Sequence, residues 1–272
     1  MRRFQQVDVF SEEPCLGNPV AVVRDADGLH TQAMQRFAAW TDLSETTFVL
    51  EPTTPDADYR VRIFTPDREL PFAGHPTLGS CHAWLDGAER DRVVQECGAG
   101  LIELRRIDGR LAFAAPPLTR SGPPDETLVA EVAAAVGVEV EDVVAAAWID
   151  NGPGWLGLQL TSAEAVLAAP VALPAGHGDI GLVGLHPPGG PHAVEVRAFF
   201  AVAGNAREDP VTGSLNASVA QWLLARGVLE APYVARQGTA MGRAGRVHIS
   251  RDGDTVWIGG ATTTVVTGTI AL

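Results

Sequence analysis

The sequence predicts an α+β protein of two similar lobes, and three observations lead there. The 272 residues, 46% of them hydrophobic, exceed what one small core organises and suit two domains of ordinary size. Short β-branched or aromatic runs bounded by Gly, Pro, Asn and Asp alternate with a few segments of helical spacing. A strand, a tight Gly/Pro loop and a helix then occur twice in similar form, as RIF with ELPFAGHPTLGSCHAWL from Arg62 and as RAF with EDPVTGSLNASVAQWL from Arg197. Placing Glu69 on Glu208 superposes Pro71 on Pro210, Gly74 on Gly213 and Leu85 on Leu224 without a gap.

Taken in order, Val7 to Phe10, Val20 to Val23, Thr47 to Leu50 and Tyr59 to Thr65 read as strands. Thr31 to Thr41 reads as a helix, because Met34, Phe37, Ala38 and Thr41 repeat at intervals of three and four. After the loop ELPFAGHP, a second helix is expected over Thr77 to Asp86, starting just after His75, with Leu78, Cys81, His82 and Leu85 along one side. Leu101 to Leu104 and Leu111 to Ala114 read as a hairpin around Asp108-Gly109. The Pro-rich stretch 116–124 reads as a linker, placing an N-terminal lobe at 1–117 and a C-terminal lobe at 118–262, with a final strand at about 263–272 free to return to the first. In the second lobe, Thr127 to Val136 reads as a helix capped by Gly137. Ala145 to Ile149, Leu156 to Leu160 and Val194 to Phe200 read as strands, and Leu215 to Ala225 as a helix ending at Gly227. The Gly, Pro and His content of 176–191 suggests a mobile or irregular connection.

Bulk properties exclude several classes. A formal charge of −13 with no basic block repels phosphate backbones, so nucleic acid is not an expected partner. No run of eighteen apolar residues occurs, and Glu12 and Glu13 interrupt the N-terminus where a secretory stretch would continue, so neither a membrane nor export is expected. Three cysteines without CxxC spacing suggest no disulfide framework or zinc site, and a reducing cytoplasm fits. The seven histidines show no HxxxH or HExxH spacing, so no metal is expected. The string from Gly152 to Gly157 matches a dinucleotide fingerprint but continues into GLQL, which reads as strand where that motif needs a helix. No GxSxG elbow or P-loop is present.

The candidate chemistry lies at two loops. Glu45, preceded by Ser44, sits between a helix end and an apolar strand, where a carboxylate enclosed by apolar neighbours suits acid/base work; a solvated or capping role is the competing reading. His75, next to Gly74 and followed by Pro76, is expected in an extended or turn conformation, as a proton donor or relay, or else as a histidine satisfied by local backbone. Asp209 and Ser214 flank Gly213 in the second loop, where Asp209 also suits a helix cap. A Gly just before a helix leaves the first amides available to an anionic ligand, and two such loops facing each other would cradle one.

Together, VDVF, GNPVAVV, LSETTFV, RIFTP, ELPFAGHPTLG and EDPVTGS, in this order, resemble the phenazine-biosynthesis isomerase (PhzF-like) family, most closely over Val7 to Gly79 and Glu208 to Ser218. The resemblance implies a diaminopimelate epimerase-like fold, with two pseudo-symmetric lobes that each curl a mixed sheet around a central helix. It implies that Glu45 is the proton-transferring carboxylate, with His75 and Asp209 as catalytic partners and Ser44, Gly74, Gly213 and Ser214 around the substrate. It further implies a homodimer acting without metal or organic cofactor on a small anionic, unsaturated substrate. Such an enzyme isomerises a dihydro-hydroxyanthranilate in the phenazine pathway, and relatives act in antibiotic pathways. Racemases of the related fold carry two thiols where this chain has Ala73 and Thr212, which disfavours two-base epimerisation. An epimerase using Glu45 with Asp209 or His75, and a non-catalytic metabolite binder, are the alternatives. The SLNASVAQWL run and the Gly/Pro-rich middle region depart from the family pattern and leave the substrate open.

Overall fold

The computed structural model describes residues 1–170, 178–202 and 205–272. The chain forms two compact units, Met1–Ala114 with Gly259–Leu272, and Ala115–Ile258.

The first unit contains β1 (Arg2–Val9), β2 (Asn18–Val23), α1 (Thr31–Thr41), β3 (Glu45–Leu50), β4 (Tyr59–Phe64), β5 (Glu69–Leu70), α2 (Gly74–Leu85), β6 (Arg92–Cys97), β7 (Gly100–Ile107), β8 (Arg110–Ala114) and the closing strand β18 (Thr262–Ile270). β1 pairs antiparallel with both β18 and β2. Helix α1 carries the chain across to β3, which lies parallel to β2, and α2 carries it from the β4–β5 hairpin to β6, parallel to β4. β6, β7 and β8 then run antiparallel. The β7–β8 connection is a two-residue turn at Asp108 and Gly109, both with positive φ (48° and 79°), as a tight hairpin turn of matching twist requires. Helix α2 touches β1, β2, β3, β4, β6, β8 and β18, so the mixed sheet curls around it.

The second unit repeats the plan with β9 (Arg120–Gly122), α3 (Glu126–Val136), β10 (Val143–Asp150), β11 (Leu156–Leu160), α4 (Ala163–Ala168), β12 (Ile180–Leu185), β13 (Val194–Val202), β14 (Asn205–Asp209), α5 (Gly213–Ala225), β15 (Tyr233–Gln237), β16 (Gly245–Asp252) and β17 (Thr255–Gly260). β11 and β12 are parallel across α4, and β13 and β15 are parallel across α5, as β2/β3 and β4/β6 are across α1 and α2. Helix α3 starts where the Asp125 side chain accepts the Thr127 amide, and stops at Gly137 with φ 71°. Its Val132 and Val136 join Leu156, Leu158, Leu160, Ile180, Leu182 and Phe199 in the core of this unit. No described helix is long and apolar enough to cross a membrane.

The internal echo extends to side chains. Phe64 pairs with Glu69 and Ile63 with Leu70; Phe199 pairs with Glu208 and Ala198 with Asp209. Arg62 forks onto Glu69 with bonds of 2.7 and 2.6 Å and lies 5.1 Å from the Phe64 ring centroid. Arg197 forks onto Glu208 at 2.9 and 2.8 Å and lies 5.0 Å from Phe199.

Four expectations need correction. The second helix begins at Gly74 rather than after His75, so His75 lies in its first turn instead of an extended segment. Pro76 is tolerated there because first-turn amides have no intrahelical partner to lose. That helix is buried through Thr77, Ser80 and Ala83 as well as Leu78, Cys81 and Leu85, so it has no single apolar side. Within the segment expected to be irregular, residues 176 and 177 lie outside the described residues, and Ile180–Leu185 forms β12, buried except for Leu185; glycines at 181 and 184 disguise a strand that needs close approach. A Cβ on Gly181 would stand 2.5 Å from Leu215 Cδ1, and one on Gly184 2.2 Å from the Ser162 carbonyl oxygen. Strands β5, β6, β9 and β12, together with β14 to β17, are absent from the reading by spacing, and β1 begins at Arg2.

Gly79, in the middle of α2, allows the helix to press on β2: a Cβ there would lie 2.4 Å from Val20 Cγ1. Gly79→Ala should therefore destabilise the protein by about 1–3 kcal/mol despite the better helix propensity of alanine, read as a lower midpoint in urea denaturation; an unchanged or raised midpoint would show that the packing yields.

Candidate active site

The first unit assembles a small polar cluster at the start of α2, beginning with the β1–β2 turn. Asp8, 2% exposed, accepts the Gly17 amide at 2.9 Å. Gly17 admits no side chain, since a Cβ would meet the Val9 carbonyl oxygen at 2.2 Å. This close approach of Gly17 to β1 delivers Asn18 and Pro19 to the head of β2. Val20 pairs with Glu45 across the parallel ladder, which places Glu45, with Ser44 just before it, at the start of β3.

At that point three elements converge. Glu45 Oε2 lies 3.4 Å from His75 Nδ1, with the histidine 3% and the glutamate 15% exposed. The fully buried Asn18 places Nδ2 3.5 Å from the same nitrogen. Nδ1 thus stands between an amide donor and a carboxylate. Unprotonated, it accepts from Asn18; the 3.4 Å approach to Glu45 is a close contact rather than a hydrogen bond. His75 Nε2 is buried with no hydrogen-bond partner among the described residues. Burial drives the imidazole down to about 3, against a hydrogen bond with the Pro19 backbone that works the other way, so it is neutral at physiological pH.

The second unit builds a different cluster at the start of α5. Asp209, 6% exposed, accepts from the Thr212 hydroxyl at 2.5 Å. It does not cap the helix: the N-cap is Thr212, with no side-chain cap bond. The fully buried Gln237 accepts from Thr212 N at 2.9 Å and Asn216 Nδ2 at 2.7 Å, and donates to the Asp209 carbonyl at 3.1 Å and Thr212 Oγ1 at 2.9 Å. Gly213 is the first helical residue and Ser214 the second. Ser214 Oγ accepts from Trp155 Nε1 at 3.1 Å, and its carbonyl from Asn151 Nδ2 at 2.9 Å.

The structure therefore brings Glu45, His75 and Gly74 together in one unit and Asp209, Gly213 and Ser214 together in the other. Asn18, Gln237 and Trp155 escape reading from sequence as site groups, and Thr212 enters it only as the position of a racemase thiol. Asn18 lies within the quoted motif GNPVAVV, while Gln237 and Trp155 lie in none of the motifs quoted for the family. Cys81 is buried within α2 and its thiol is pushed up to about 12 by burial, while the helix N-cap positions hold Ala73 and Thr212. Among the described residues no group of three or more His, Cys, Asp or Glu is gathered as for a metal ion.

The fold and its relatives define an isomerase. Residues 7–268 match the family model described as phenazine biosynthesis-like protein (PhzC-PhzF), and the chain belongs to that family. It is 32% identical over 277 residues to trans-2,3-dihydro-3-hydroxyanthranilate isomerase of Pseudomonas fluorescens, covering 93% of this chain and 91% of that protein. A shorter match, 46% identical over 177 residues, covers 60% of this chain and 59% of antisense-enhancing sequence 1 of Schizosaccharomyces pombe. Among solved structures, a predicted epimerase from Pseudomonas aeruginosa superposes with a TM-score of 0.82 at 27% identity over the whole of both chains.

The buried His75 carries a consequence for stability. Between its unfolded value near 6.5 and its folded value of about 3, the unfolded chain binds a proton that the folded chain refuses, so stability falls as pH drops through this window. His75→Gln should flatten that dependence by about one proton between roughly pH 6 and pH 4, measured as the slope of unfolding free energy against pH; an unchanged slope would mean the imidazole is charged when folded.

Proposed function

We propose that this protein is a cofactor-independent isomerase that moves a proton between carbons of a small unsaturated carboxylate, a cyclic amino-acid derivative of the dihydro-hydroxyanthranilate kind. The observation that carries the reading is a carboxylate held 3.4 Å from a buried imidazole at the first turn of a buried helix. Glu45 takes a proton from one ring carbon, and the electron pair left behind spreads through the double bonds. The resulting acid returns the proton to a second carbon on the same face, so no proton is gained or lost overall. Neutral His75 packs its Nδ1 edge against the carboxylate and leaves Nε2 for a substrate oxygen. The amides at the start of α2, which has no side-chain cap, suit an anionic substituent. The motif resemblance is the ground for including Asp209, Ser44, Gly213 and Ser214 in the proposed reaction, and the dihydro-hydroxyanthranilate isomerase named among the relatives supports the substrate class.

Epimerisation is the weaker reading, because the N-cap positions where two thiols would stand carry a methyl group and a hydroxyl already engaged with Asp209. A homodimer, implied by the family resemblance, and a cytoplasmic setting, suggested by the cysteine spacing, belong to the same proposal.

Proton NMR in deuterium oxide with dihydroaromatic and unsaturated prolyl carboxylates tests the reading. Glu45→Gln should lower deuterium incorporation by about 10²-fold or more while substrate affinity stays close to wild type. Incorporation at the wild-type rate would remove Glu45 from the mechanism.

A further inference from the structure

We infer that the cavity at the C-terminal end of α2 is a second small-molecule site, built for a free α-amino acid with an apolar side chain and separate from the cluster around Glu45. Roughly 15 Å of helix axis divides it from His75 in the first turn.

The cavity, of about 450 Å³, lies between the end of α2, the β7–β8 hairpin and the start of β18. That volume is in the range of pockets for small metabolites. Its floor is fixed. His82, in the last turn of α2, bonds through Nδ1 to the Thr262 hydroxyl at 3.0 Å and through Nε2 to the Thr264 hydroxyl at 2.9 Å, so both ring nitrogens tie the helix to β18. Leu85 and Leu111, both buried, supply an apolar wall.

The cavity carries charges of both signs that are not spent on one another. Arg110 is committed to Glu12 at 2.5 Å. Arg106 donates from Nη1 to the Gly109 carbonyl at 3.0 Å, which anchors the guanidinium, and it makes no ion pair among the described residues; its Nε is buried with no hydrogen-bond partner. Burial, and then the nearby Arg106 charge, hold His82 below its ordinary range, so the floor is neutral and the uncompensated positive charge belongs to Arg106. A guanidinium with an unspent edge suits a carboxylate. Glu89 and Asp108 also line the cavity, exposed and likewise in no ion pair among the described residues. Beside Glu89 stand Gly87 and Ala88, which follow the end of α2; the negative end of a helix dipole favours a cation there.

A simple anion would meet Glu89 and the helix end, and a simple cation would meet Arg106. A molecule that carries a carboxylate, an ammonium and an apolar group on neighbouring carbons satisfies all three surfaces together.

Titration of the full chain with L-leucine, followed in ¹H–¹⁵N amide spectra, tests the site. Two probes accompany it: 4-methylpentanoate, which lacks the ammonium, and 3-methylbutylamine, which lacks the carboxylate. Leucine should shift the amide signals of Gly87, Gly109 and Thr262 in a saturable way, and each single-charge probe should bind at least roughly 10-fold more weakly. Arg106→Gln should weaken leucine by a similar factor, and so should Glu89→Gln, whose exposed position keeps the test independent of the Arg106 bond to Gly109. Glu45→Gln should leave leucine binding unchanged. No saturable shift up to about 50 mM, shifts confined to the Glu45 and His75 region, equal binding of either single-charge probe, or wild-type affinity in Arg106→Gln or in Glu89→Gln would each overturn the inference. Wild-type deuterium incorporation by Glu45→Gln would remove the isomerase reading and leave this site in place.

Discussion

A helix surrounded on all sides by strands must satisfy its polar groups from within the protein, and α2 imposes that requirement on the whole first unit. Ser80 donates to Thr47 at 2.8 Å, and Gln95 donates to Thr77 at 3.0 Å while accepting from Tyr59 at 2.8 Å. The first two bonds tie the helix to β3 and β6 and the third ties β6 to β4, so the sheet must curl far enough to bring β3, β4 and β6 to its flanks. Unsatisfied groups of this kind would each cost about 1–3 kcal/mol, which is why the helix position is sharply defined. Its first turn then lies where β2 and β3 begin, and His75 has no room to avoid Glu45.

The second unit meets the same requirement with other residues. Its Arg–Glu fork over a phenylalanine matches that of the first unit, and its parallel crossovers follow the same order. The divergence is concentrated at the start of the central helix, where Gln237, Thr212, Asn216 and Asp209 form a hydrogen-bonded network. A repeated scaffold supplies rigid helix starts; the residues placed there differ because scaffold and chemistry make separate demands.

Much of the fold was legible because local rules were obeyed. The α1 spacing, the Asp108-Gly109 turn, the Gly137 stop and the repeated loop-to-helix segment each follow from preferences acting over a few residues. β12 was not, because glycines chosen for close approach to Leu215 and Ser162 look like loop formers. The start of α2 was misplaced because Pro76 signals a break in most contexts but costs nothing in a first turn.

The sequence by itself determined the fold class, the internal repeat, the family and the identity of Glu45 and His75 as candidates, since all of these rest on patterns within short windows or on motifs in order. Only the tertiary structure decided that Asn18 and Glu45, 27 positions apart in the chain, reach the same imidazole nitrogen, and that Gln237 in a distant strand holds Thr212 and Asp209. Those contacts are set by strand register and helix burial. Neither leaves a mark in the spacing of the residues that make them, because a buried amide in a strand has the same local sequence whether it orients a carboxylate or merely fills the core.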